Sequence, residues 1–252
     1  MLTKRLQDIN GNDVNEFLLE VQMGNIAGAS IINRLGKNPD VDSGAEEDVW
    51  ELGGAYSELT EATTLYIWST EEDTVDILIT GVDGDYTKVE NYIVTLTGTT
   101  PVEVSQQFLA VCEMSNDNGT PLAGTVYLSR VSGSTTATNV VAVITPPHER
   151  SLLGRCIIPA GYHGYIFLGE ANANVVNIVN VANAVVSFYA KKLGKVYQLV
   201  DEVQADGVPH SRPWISIPEK TAVKTTSTSY DTNNVVRISF YILLLDKTIW
   251  EV

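Results

Sequence analysis

Cysteine, methionine and histidine are all scarce in this chain of 252 residues, which has two, three and three of them. Two cysteines, Cys112 and Cys156, cannot make a disulfide framework or a zinc site of the usual spacing. Both sit in apolar runs and are expected to be reduced, buried thiols, with a disulfide between them as the alternative. Basic residues are few as well, 16 Lys and Arg against 31 Asp and Glu, for a net charge of −15. Neutralising phosphates takes clustered cations, so nucleic acid is not an expected partner. No run of about 18 apolar residues exists, and none is expected to span a bilayer. The stretch Met1–Asp8 lacks an apolar core of its own, so no secretory signal is expected. What the chain has in quantity is hydrophobic residues, 44%, enough for a sizeable core.

The charge is uneven. Residues 1–60 carry 4 basic and 11 acidic side chains, residues 61–180 carry 4 and 13, and residues 181–252 carry 8 and 7. The densest acidic block is Asp40, Asp42, Glu46, Glu47, Asp48 and Glu51. It reads as a solvated loop, as an acidic arm that docks on a basic surface, or, least naturally given its spacing, as a cation site.

Residues 1–60 differ from the remainder. Val14, Phe17, Leu18 and Val21 share one face of a short amphipathic helix. Small, turn-prone residues follow, from Met23 to Asp40, without sustained periodicity. So long an irregular stretch suits an extended arm better than the inside of a compact domain. Trp50 and Tyr56 would then be anchors on another subunit, or else pack back on their own domain.

From about residue 62, alternating Val, Ile, Thr and Tyr recur between turn residues, as in Val75–Ile79, Tyr92–Thr97, Phe108–Met114, Thr125–Val131, Asn139–Ile144 and Leu152–Ile158. Later segments are Tyr165–Leu168, Ala184–Lys192, Lys195–Val203, Trp214–Ile217, Ala222–Thr228 and Val235–Leu245. The expected fold is all-β: an antiparallel, jelly-roll-like β-sandwich over 61–252, subdivided near 146–160, behind an N-terminal arm at 1–60. Val235–Leu245 is apolar on both faces toward its end, so a neighbouring subunit or the arm should cover it. Ala171–Ala184, Asn-rich and nearly chargeless, reads as a loop or a packed interface.

Catalytic constellations are missing. His148, His163 and His210 lie in turn-like contexts, and although Asp206 is near His210, no nucleophile elbow accompanies them. Neither a dinucleotide fingerprint nor a phosphate loop occurs, so no cofactor is expected. Asp83, Asp85 and Glu90 offer oxygen ligands for Ca²⁺, but a hairpin turn explains Asp83-Gly84 more simply. Asn118-Gly119-Thr120 reads as a turn. The chain is not expected to be an enzyme.

Three N-terminal passages carry a resemblance: Gly24 to Gly44, which contains Gly36-Lys37-Asn38-Pro39-Asp40-Val41-Asp42; Glu47-Asp48-Val49-Trp50; and Gly53-Gly54-Ala55-Tyr56. Later passages continue it in order: Val94–Val102, Ile158–Tyr165, and Ile217–Thr221 leading to Asn233-Asn234. Together they resemble a family of tailed-bacteriophage virion structural proteins. The resemblance implies a particle component made in the host cytoplasm, and the expected role is a decoration or cement protein on the capsid surface. Its partner would be the major capsid protein, and the chain would self-associate as a homotrimer. Ile26, Asn38, Asp40, Asp42, Asp48, Trp50 and Tyr56 are the expected partner-binding residues. The competing expectation is a receptor- or glycan-binding head-fibre or tail module, for which Tyr86, Tyr162 and Tyr165 are the candidate aromatics. A polysaccharide-degrading enzyme is a third possibility.

Overall fold

A computed structural model describes residues 9–10, 16–175, 184–205, 214–230 and 234–250, without the side chains of 168–170 and 172–175. The segments at 176–183 and 206–213, with Asp206 and His210, lie outside the described residues, as do Val14 and Asn233. The chain is 55% strand and 3% helix. Among the described residues one short helix, α1 (Phe17–Gln22), precedes β1 (Ala29–Val41) and β2 (Glu46–Asp48). Seven strands follow: β3 (Thr63–Ser69), β4 (Asp76–Val82), β5 (Lys88–Thr95), β6 (Val102–Phe108), β7 (Ala110–Asn116), β8 (Val126–Ser129) and β9 (Val140–Ile144). The last seven are β10 (Arg155–Ile157), β11 (Tyr162–Val175), β12 (Ala184–Lys192), β13 (Gln198–Gln204), β14 (Ile215–Ile217), β15 (Thr221–Ser229) and β16 (Asn234–Asp246).

These strands make four antiparallel sheets. Two of them, in the orders β1-β16-β11-β14 and β10-β15-β12-β13 with β2 beside β15, share one apolar cluster. The other two, β6-β3-β8-β9 and β5-β4-β7, share a second. Four sheets invite comparison with a four-bladed propeller. The buried apolar residues nevertheless join the sheets in pairs, one core per pair. The second pair, residues 63–144, is inserted into the first between β2 and β10.

The N-terminal arm is corrected by β1. Residues 29–41 are no free arm but a thirteen-residue strand, paired with β16 from Ala29–Leu245 to Val41–Asn234. Its alternation escapes notice because three of its four buried residues are Arg34, Gly36 and Asn38, and only Val41 at its end is apolar. Gly36 sits inside because Gly154 lies against it; a Cβ there would be 2.8 Å from the Gly154 Cα. Backbone cannot yield as a side chain does, so Gly36→Ala should destabilise the protein by about 1–3 kcal/mol, read as a lowered midpoint in thermal or urea unfolding.

Cover for the closing strand comes from within the chain. Phe240, Ile242 and Leu244 of β16 lie in the first core. Leu243 and Leu245, on the opposite face, pack with Val21 and Ile26, and Phe17 meets Trp250 edge-on at 5.9 Å. Strand β11 runs on to Val175, so the first residues of the Asn-rich stretch are strand rather than loop. Among the described residues no helix is long and apolar enough to cross a membrane.

Candidate functional site

β1, β2 and the segment between β2 and β3 carry the conspicuous N-terminal motifs, and that segment ties the two pairs of sheets together. Asn38, fully buried, donates from Nδ2 to Glu47 Oε2 at 2.9 Å and to the Asp48 carbonyl at 3.1 Å. Its Oδ1 accepts the Asp40 N–H at 2.9 Å. Glu47, also buried, accepts the backbone N–H of Asp42 at 2.9 Å and of Gly54 at 2.8 Å. Asp48 accepts the Tyr56 N–H at 2.9 Å and pairs with Lys224 at 3.1 Å. Gly53 closes the loop with φ +66°, and a Cβ there would come 3.1 Å from Asn38 Oδ1. Two of the six carboxylates in the acidic block therefore act as inward acceptors for backbone N–H groups, not as a charge surface.

Trp50, 1% exposed, packs with Val140, Val143 and Leu153, and meets Tyr56 edge-on at 5.0 Å. The Tyr56 hydroxyl donates to the Val141 carbonyl at 2.9 Å, so both rings bind the 49–56 segment to the inserted sheets. Of the expected partner-binding residues, Ile26, Asn38 and Trp50 are buried in their own chain and Tyr56 and Asp48 are half-buried. That burial corrects their role as anchors for another protein: nothing outside reaches Ile26, Asn38 or Trp50 in this conformation. Asp40 and Asp42 are exposed, as is Glu46, whose Oε1 nonetheless accepts the Thr226 hydroxyl.

Beside the knot lies a cluster that sequence reading missed. The Arg155 guanidinium lies 3.8 Å from the Tyr56 ring centroid and 2.6 Å from Glu58. Lys191 and the Tyr197 hydroxyl also donate to Glu58. Burial resists ionisation of Glu58, but Arg155 and the hydrogen bonds of Lys191 and Tyr197 outweigh it and bring the carboxyl down to about 2. Burial raises the Tyr197 phenol. Arg155, Lys191 and Tyr197 lie 97, 133 and 139 positions from Glu58, and no local pattern announces them.

Other candidates disperse. Asp83 Oδ1 accepts the N–H groups of Asp85 and Thr87 at 2.9 and 2.8 Å, which is turn capping, while Glu90 pairs with Lys88. His163 bonds Ser216 at 2.7 Å, and His148 lies beside Lys37 and Arg237, its pKa lowered by burial and by those two cations. Cys112 and Cys156 are free and buried, and burial pushes the Cys156 thiol up to about 12. Among the described residues no group of three or more His, Cys, Asp or Glu is placed to hold a metal.

Tyr162, Tyr165 and Tyr86 also separate. Tyr165 belongs to a row of rings on the outer face of the β1-β16-β11-β14 sheet. In it Trp214 stacks on Phe167 at 5.0 Å and Phe167 on Tyr241 at 5.3 Å. Fold and site thus define an all-β protein of antiparallel sheets, two cores and a polar joint between them. No family model matches the chain, and no curated protein is detectably similar to it.

Proposed function

We propose that this protein is a non-enzymatic structural component of a tailed-phage virion, a decoration or cement protein on the head that binds the major capsid protein. The observation that carries the reading is the strand pairing of the first two sheets. Counting β1 and then β10 to β16 as eight strands, the first pairs with the eighth, the second with the seventh, the third with the sixth and the fourth with the fifth. We take that nested hairpin for a jelly roll, an architecture shared by viral capsid and lectin domains. We read the inserted sheets, by the same logic of one core between two sheets, as a second sandwich. A fold alone does not assign a function. The phage-like passages supply the other half of the argument, and their residues build the joint on which the second sandwich is mounted.

Docking falls to the exposed residues of the acidic block, Asp40, Asp42 and Glu46, facing basic capsid residues. Deleting residues 1–58 is no test of this, since it removes β1 and the knot. The direct test is copy number per particle by quantitative mass spectrometry, together with co-sedimentation on expanded heads. A copy number matching the capsomers is expected; one matching a single vertex or the tail would overturn the shell assignment.

Self-association is assigned to the ring-bearing outer sheet face, where Trp214 is 45% exposed. Light scattering should give a trimer for the wild type and a monomer for Trp214→Glu. A wild-type monomer at high micromolar concentration would sink the trimer.

A further inference from the structure

Between the two pairs of sheets, next to the Glu58 cluster, opens a cavity of about 260 Å³. Five of the chain's 16 basic residues line it, Arg155, Lys191, Lys192, Lys195 and Lys220, against one carboxylate, Glu58. In a protein of net charge −15 this is a local excess of positive charge where the average would predict the opposite. Arg155 and Lys191 are committed to Glu58. Lys192, Lys195 and Lys220 have no carboxylate at ion-pair distance among the described residues.

The backbone holds these lysines deliberately. Lys192 and Lys195 flank the β12–β13 turn, closed by a 2.9 Å hydrogen bond from the Lys195 N–H to the Lys192 carbonyl. Lys220 has φ +55° and donates its N–H to the Ile158 carbonyl at 2.8 Å. Opposite it Tyr86 has φ +66°, and its carbonyl accepts the Ala160 N–H at 2.8 Å. Of the three non-glycine residues with positive φ among the described residues, two therefore line this one cavity. Such backbone is costly and gathers at binding sites. The Lys220 ammonium stands 5.7 Å from the Tyr86 ring centroid, and Leu109, Ala110 and Ile157 add an apolar surface.

We propose that this cavity binds a carboxylated sugar residue, a hexuronate or a nonulosonate, with its carboxylate among Lys192, Lys195 and Lys220 and the apolar face of its ring against Tyr86. Ammonium groups suit a hydrated anion held without bidentate geometry. A tyrosine face and an apolar floor suit a ring that is polar at its rim and apolar on its face. The volume accepts one ring rather than an extended peptide, which needs a groove along a strand edge. Both sandwiches contribute walls, Tyr86 and Ala110 from the insert and Ile157, Lys192 and Lys220 from the jelly roll, so a bound sugar would bridge them.

The test titrates the purified full chain with glucuronate, galacturonate and N-acetylneuraminate, using calorimetry or ligand-observed NMR. Glucose, galactose and a hexaglutamate peptide serve as comparators. At least one acidic sugar should bind with Kd of about 1 mM, the neutral sugars much more weakly. Lys220→Ala and the double variant Lys192→Ala/Lys195→Ala should each weaken binding roughly tenfold with unchanged unfolding midpoints. Lys192 and Lys195 are exposed and Lys220 is half-buried at the cavity rim, so the variants should fold. Absence of acidic-sugar binding, binding indifferent to the lysines, or lysine-dependent binding of the peptide alone would each overturn the proposal. None of these outcomes depends on where in a particle the protein resides.

Discussion

Replacing Trp50 with alanine is expected to destabilise the protein by about 3–5 kcal/mol, the range for emptying a buried aromatic site. Trp50 is among the largest fully buried side chains, and it fills the junction between its own segment and β9 rather than the middle of either core. The loss should therefore appear first as uncoupling of the two pairs of sheets. Denaturation followed by tryptophan fluorescence and by far-ultraviolet circular dichroism should coincide in the wild type and separate in Trp50→Ala. Trp50→Phe keeps most of the contact, and the Trp50 Nε1 has no acceptor to lose. It should cost well under half as much. If Trp50→Ala left the midpoint unchanged, the joint would owe its stability to the hydrogen-bonded knot alone.

The second large effect concerns Glu51, whose side chain is 3% exposed, with one oxygen 3.8 Å from Lys37 Nζ. Burial outweighs the lysine and raises its pKa from 4.5 to about 7. A carboxyl with a raised folded pKa favours the protonated native state. Its contribution is complete below the unfolded pKa of 4.5 and is lost as pH rises through about 7. At about 1.4 kcal/mol per pH unit, that interval corresponds to about 3 kcal/mol. Glu51→Gln should therefore be more stable than wild type above neutral pH by up to about 3 kcal/mol, and equal to it near pH 4.5. Urea titrations across this interval decide the matter: parallel pH profiles for the two proteins would show that Glu51 is solvated as an anion. Glu58 has the opposite sign. Its carboxyl is held down to about 2, so its contribution is present above 4.5 and disappears as pH falls through 2.

How far the fold could be read varied with what each strand does. Val140–Ile144 and Asn234–Asp246 declare themselves because their buried rows are aliphatic, and the sequence places both within a residue or two. Ala29–Val41 hides because only Val41 of its four buried residues is apolar: Arg34 reaches Glu113 of the insert, Gly36 admits Gly154, and Asn38 binds Glu47 and the Asp48 carbonyl. Phe108–Met114 looks like one strand but divides at Leu109, where the chain leaves one sheet of the insert for the other. One end of the insert follows β9, where β10 returns to the first pair of sheets. The other end is invisible because β1 and β2 belong with strands more than a hundred residues downstream.

The candidate sites divide in the same way. Residue order and charge, read locally, established an all-β, acidic protein without a legible catalytic motif, since alternation and charge are local properties of the chain. It also marked Asn38, Asp48, Trp50 and Tyr56 as unusual. Only the tertiary structure decided that they face inward, because the same carboxylate docks on a partner or caps a buried N–H according to what folds over it. The lysine-rimmed cavity is likewise a product of tertiary structure. Its cations lie between Arg155 and Lys220 in sequence, while Tyr86 and Glu58 come from well before them in the chain. Scarce basic residues reveal themselves as a site only when separate segments bring them together.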